Sequence, residues 1–366
     1  MFVGHEFLAF ALVGWGASRL GVDSRAALRL GAVAGLAALL PDLDVLYAVA
    51  TYAVAVANGT PLGWEAFWGV ANGVHRVVTH PLPAGLAAAV VFGLGVAVGA
   101  LWPTSERSRE TSVTALFYGL ATVLYAPILV RSFWTTVGTA AAVVAAAFLA
   151  AVAAAGAIVA RRLRLPTTAL TAAAGVGFLT HPFGDVFLAA PPPLLSPFGP
   201  PVLTDRLSLA VDPTLELFGV LFVELAAVWF GVLVALDLGI SEPSVLPSPT
   251  TGTEILGRLR DVVDRRAGVG IAYAVTVFVL PRPTIVDAHV LGFTIVPLAA
   301  VVGLWAAGRR RTVAAPWGSS TRTPRSVGFT VLFGVGTGLA TLTLAAVAYL
   351  TTYVLATAGL GPIAFG

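Results

Sequence analysis

The chain has 366 residues, of which 58% are hydrophobic and only 11% charged, and its mean hydropathy is +0.91. An average soluble domain carries roughly a quarter charged residues, so a soluble fold of this composition is excluded for want of charge to cover its surface. With no cysteine in the chain, disulfides, thiolate metal sites and cysteine nucleophiles are excluded too, and any metal must be held by His, Asp or Glu.

Apolar runs of about 18 or more residues are long enough to cross ~30 Å of hydrocarbon. Ten apolar segments follow one another, at about 3–19, 27–50, 84–102, 112–130, 136–160, 168–190, 214–238, 268–281, 287–307 and 327–357. The first and eighth are short for a full span. The expected fold is an all-α, polytopic transmembrane helical bundle of about ten spans, with eight to ten as the range. No basic stretch precedes the first segment and no small-residue cleavage pattern follows it, so it reads as a retained helix. Residues 1–212 are expected to form one membrane domain, and 213–366 to add further transmembrane helices. A polar interruption at 239–267 reads as a flexible linker, SEPSVLPSPTTGTE, followed by a short amphipathic helix, ILGRLRDVVDRR, for the membrane surface.

All 21 basic residues are arginine, and the pI is about 9.6. They sit in short loops between apolar runs, as the positive-inside rule expects, so orientation explains them and nucleic acid is not an expected partner. If the segments alternate from an outside start, 17 of the 21 fall on the cytoplasmic side, leaving Arg76, Arg131, Arg206 and Arg282 outside. The expected location is therefore the cell membrane, multi-pass, with both termini extracytoplasmic and membrane lipids as partners.

An ionisable residue within or at the end of a membrane span costs about 2.5–3.5 kcal/mol, which makes it a functional candidate. Four groups stand out: His5 with Glu6; Pro41-Asp42-Leu43-Asp44; His75-Arg76-Val77-Val78-Thr79-His80; and His181-Pro182-Phe183-Gly184-Asp185. The alternation places all four at the outer ends of their helices. His181 and Asp185 are four apart, so on a helix they offer an imidazole and a carboxylate from one face. His75 and His80 are five apart and share a face only if the segment unwinds. Pro41 disfavours a continuous helix, and a local break would let Asp42 and Asp44 reach one pocket. This donor set suits zinc, manganese or iron, as one ion or two. Asp287 and His289 also sit at an outer helix start, Asp205, Asp212 and Glu216 at a solvated loop or helix start, and Glu224 falls within a span. The proline-rich stretch 191–201 is expected to be a stiff outer loop placed to cap the site.

These motifs resemble those of the YdjM-like, LexA-regulated inner-membrane proteins regarded as metal-dependent hydrolases. The matching pieces are His5, Pro41-Asp42-Leu43-Asp44 for P-D-x-D, His75-Arg76 through Thr79-His80 for H-R-x-x-T-H, and His181 and Asp185 for H-x-x-x-D. Leu194-Leu195-Ser196-Pro197 corresponds to a downstream L-L-x-P. The match covers roughly residues 1–200, with Val77 in place of the family's usual glycine and Ser196 where an aromatic residue is often found.

The expected function is a membrane-embedded, metal-dependent hydrolase acting on a lipid or lipid-linked phosphoester at the outer face. His5, Asp42, His75, His80, His181 and Asp185 are the candidate metal ligands, for zinc first and for manganese or iron as alternatives. Asp44 is a further ligand or the general base. Arg76 pairs with Asp42 or Asp44, or stabilises developing negative charge. Two other readings use the same cluster: an ion- or proton-coupled transporter, and a non-catalytic membrane protein with a structural metal.

Overall fold

The computed structural model describes residues 3–71, 76–101, 109–187, 191–240, 257, 259, 262–313 and 324–358. Among them the secondary structure is helical, with no strand, and the chain divides into two compact units, Met1–Leu207 and Ser208–Gly366. Seven helical runs are long and apolar enough to cross a membrane: Ser24–Ala57, Leu82–Ala100, Val113–Thr136, Thr139–Leu163, Pro213–Gly239, His289–Arg309 and Gly328–Thr357. These correspond to seven of the ten expected segments. The other three are shorter helices or carry polar residues.

The first unit contains α1 (Gly4–Arg19), α2 (Ser24–Leu39), α3 (Val45–Ala57), α4 (Trp64–Ala71), α5 (Leu82–Ala100), α6 (Arg109–Thr136), α7 (Thr139–Leu163) and α8 (Thr167–Gly184). Asp23 starts α2 by accepting the backbone N–H groups of Arg25 and Ala26, as an N-cap carboxylate should. Pro41 ends it. Lacking an N–H, this proline cannot continue the α-helical ladder, and Leu40–Asp44 tighten into a 3-10 turn before the chain resumes as α3. The break expected from Pro41 is therefore present, and it carries both aspartates.

Glycines set the packing. Gly31 and Gly35 of α2 lie against Phe10 and the Glu6 carbonyl of α1, so these helices run antiparallel. Gly177 of α8 lies against Ala34, Ala37 and Ala38 of α2, and one turn further along each helix His181 meets Asp42, so α2 and α8 run parallel. Gly85 of α5 packs on the Phe178 carbonyl of α8, the group whose helical donor is missing because Pro182 has no N–H. The beginnings of α1 and α5 and the ends of α2 and α8 thus gather at one end of the unit. Away from that end, a Cβ on Gly95 or Gly99 of α5, or on Gly156 of α7, would overlap the backbone of the partner helix. Such small-residue contacts let membrane helices pack closely where the hydrophobic effect gives little drive.

The second unit holds α9 (Pro213–Ile240), a 3-10 helix over Arg265–Phe278, α10 (His289–Phe293), α11 (Ile295–Val313) and α12 (Pro324–Thr357). The 3-10 helix is the eighth apolar segment. Runs of this kind rarely exceed a few residues, but its rise of about 2.0 Å per residue carries a segment further than an α-helix of equal length. Gly270 lets it approach the backbone of α12 at Thr341. Asp212 caps α9 through the N–H groups of Thr214 and Leu215 and also accepts the Tyr353 hydroxyl. Burial pushes its carboxyl up, but those three donors outweigh it and hold the group below the ordinary carboxylate value. Glu216, expected in a solvated position, is buried and accepts from Ser208 Oγ and from the backbone of Leu209 and Ala210. Asp287 exchanges local hydrogen bonds with Thr284, a helix-start role. The amphipathic helix expected before Arg266, like most of its linker, lies largely outside the described residues.

Candidate metal centre

Where the four helix ends meet, α1 supplies His5 and Glu6, the 3-10 turn after α2 supplies Asp42 and Asp44, the turn before α5 supplies Arg76, Thr79 and His80, and the end of α8 supplies His181 and Asp185. The four polar groups singled out in the sequence therefore converge on one place. His75 lies outside the described residues.

Asp42 is the hub. Its Oδ2 is 3.0 Å from His5 Nε2, while its Oδ1 is 3.3 Å from His80 Nε2 and 3.7 Å from His181 Nε2. Asp185 Oδ2 lies 3.2 Å from His80 Nε2 and 3.4 Å from Arg76 Nε. The His181 ring stands between the other two, its centroid 4.2 Å from that of His5 and 4.4 Å from that of His80. All three histidines and Asp185 are buried, whereas Asp42 keeps 30% of its side chain exposed and forms the open side.

His181 is fully buried, yet neither of its ring nitrogens has a hydrogen-bond partner. Buried polar groups are nearly always paired, because an unpaired one costs about 1–3 kcal/mol. A metal ion bound here would supply the missing partner. Two sets of donor atoms have the closeness a cation requires, His5, Asp42 and His181, and His80, His181 and Asp185, each set lying within 4.8 Å of one another. Imidazole and carboxylate donors with no thiolate suit zinc, manganese or iron.

Behind this open cluster lies a supporting layer. Asp44 accepts the Thr79 hydroxyl at 2.8 Å and the Arg76 N–H at 3.1 Å, and Thr79 Oγ is 2.9 Å from His80 Nδ1. Thr79 has one hydroxyl proton and gives it to Asp44, so its oxygen accepts from His80 Nδ1–H. That leaves His80 Nε2 turned towards Asp42 and Asp185, the arrangement in which an outer carboxylate orients a metal-binding imidazole. Burial alone would lower the His80 pKa, but Asp185 and Asp42 outweigh it and pull the imidazole up to about 9. Asp44 thus sits behind His80, away from the open side. Thr79 is the residue that charge-based reading passes over, although it lies inside the H-R-x-x-T-H motif.

Arg76 begins a non-helical turn and adopts φ 66°, a left-handed conformation that costs an L-residue roughly 1–2 kcal/mol. That backbone aims its N–H at Asp44 while its guanidinium reaches Asp185. No family model, curated protein or solved structure matches this chain. The proline-rich stretch is non-helical, and Leu194 accepts the Leu82 N–H at 2.9 Å, which ties it to the start of α5 two residues from His80.

Proposed function

We propose that this chain is a membrane-embedded, metal-dependent hydrolase, with a divalent ion, zinc in the first instance, held by His5, Asp42, His80, His181 and Asp185. The observation that carries the reading is the fully buried His181, without a hydrogen bond at either nitrogen, its ring packed against two other buried histidines and its Nε2 3.7 Å from the Asp42 carboxylate. An ion held by these residues would supply an acidified water and a Lewis acid for a phosphoester oxygen, the chemistry that hydrolysis near neutral pH requires.

The chain's own residues divide the remaining work. Asp44 and Thr79 position His80, so Asp44 takes a positioning role in place of the general base considered from sequence. Arg76, part-exposed at the rim, meets negative charge developing on a substrate. The segment tied down through Leu194 covers the start of α5. Arginine placement assigns this end to the extracytoplasmic side, at headgroup level, which favours a lipid or lipid-linked phosphoester. The motif resemblance to the YdjM-like hydrolases supports the same class.

The transporter reading needs a polar path leading away from the cluster. The close Gly95, Gly99 and Gly156 contacts between α5 and α7 favour a closed bundle instead. The test is release of phosphate or alcohol from phospholipid and lipid-linked phosphoesters by the detergent-purified chain. The proposal expects turnover that is abolished by chelation, restored by zinc or manganese, and lost in Asp42→Ala. Ion flux in proteoliposomes without hydrolysis would overturn it.

A further inference from the structure

We propose that this centre takes two divalent ions bridged by Asp42, one held by His5 and Glu6 and the other by His80, His181 and Asp185. The inference rests on the metal reading above and concerns how many ions the site is built to hold.

Two observations carry it. First, the two oxygens of Asp42 face different histidines, Oδ2 towards His5 and Oδ1 towards His80 and His181, as a carboxylate bridging two cations must. Second, the donors outnumber one ion's needs. A single catalytic zinc uses three protein ligands and leaves a fourth position open, yet six side chains converge here. The sixth is Glu6, with Oε1 3.7 Å from His5 Nε2; the two close donor sets, His5, Asp42 and His181, and His80, His181 and Asp185, both call on His181, so with that imidazole given to the second set Glu6 is the donor at hand to complete the first. In two-metal hydrolytic sites the ions sit about 3.5–4 Å apart and clamp both oxygens of the displacement, which deepens the phosphoester assignment.

The full chain in detergent, stripped with a chelator and titrated with Mn(II) alone, tests this by bound-metal analysis and electron paramagnetic resonance. The expected result is two Mn(II) per chain with an exchange-coupled spectrum. Glu6→Gln and His5→Gln, each checked for monodispersity so that a misfolded variant is set aside for the other, should fall to one Mn(II) per chain with an isolated-ion spectrum. One uncoupled Mn(II) in the wild type, or two retained in both variants, would overturn the two-ion assignment and leave the metal reading standing. No Mn(II) and no Zn(II) bound at all would overturn the metal reading itself.

Discussion

Replacing Gly177 by alanine places one methyl group where α8 meets α2, and its consequences can be followed from packing to the site. The new Cβ would overlap the Ala34 carbonyl and lie 2.9 Å from both the Ala37 Cβ and the Ala38 nitrogen, against 3.4–4 Å for ordinary contact. None of these neighbours is the end of a flexible chain, so relief requires the two helices to part by on the order of 1 Å. Overpacking of this kind costs about 1–3 kcal/mol. His181 is one turn further along the same face, 3.7 Å from Asp42. Metal sites hold their ligand distances to within about 0.2 Å, so the shift should weaken metal binding roughly 10- to 100-fold, the range seen when ligand support is lost. Gly175→Ala is the control, since its Cβ would meet only the Ala89 methyl, at 3.7 Å. A change at an uncrowded site raises stability by about 0.4–1 kcal/mol through the unfolded chain and should leave the metal in place. Chelator competition and thermal unfolding of both variants measure these effects. The reasoning fails if a folded Gly177→Ala binds zinc as the wild type does, or if Gly175→Ala loses it equally.

Thr79→Val removes the hydroxyl between Asp44 and His80 and should weaken zinc binding roughly 10- to 100-fold, with Thr79→Ser restoring it, as chelator competition would show. The metal-free protein should depend on pH through His80, whose folded pKa of about 9 lies above its ordinary 6.5. That contribution to stability is complete below about 6.5 and lost as pH rises through about 9, so denaturant midpoints should fall between those values and stay flat in His80→Gln. In the second unit the Asp212 carboxyl is held below its ordinary value, so its contribution is present above about 3.8 and lost as pH falls through the lowered value. Asp212→Asn should remove that acid-side dependence in a pH titration of unfolding.

The sequence located most of the cluster because its ingredients are conspicuous in lipid. Asp42 and Asp44 beside Pro41, and His181 four residues before Asp185, are costly in an apolar run, and arginine placement assigned them to one side independently. It was less able to divide the labour among them. That Asp44 supports His80 while Asp42 faces the opening depends on how a five-residue 3-10 turn rotates two carboxylates apart, and spacing alone does not fix that rotation. Thr79 carries no charge, so neither hydropathy nor arginine placement marks it, and its role rests on a non-helical turn that sets its hydroxyl between Asp44 and His80. Among the apolar segments, 268–281 looked short because length was reckoned at the α-helical rise. Glu216 looked solvated because its three donors come from a loop just before its helix, a local lock invisible to hydropathy.

The central claim is that His181 and its neighbours hold a metal. X-ray absorption at the zinc edge, on detergent-purified wild type and His181→Ala loaded with one equivalent of zinc, tests it most directly. The account predicts a mixed imidazole and carboxylate shell at about 2.0–2.2 Å, with fewer imidazole contributions in the variant. An all-oxygen shell, or a spectrum unchanged by the substitution, would contradict it.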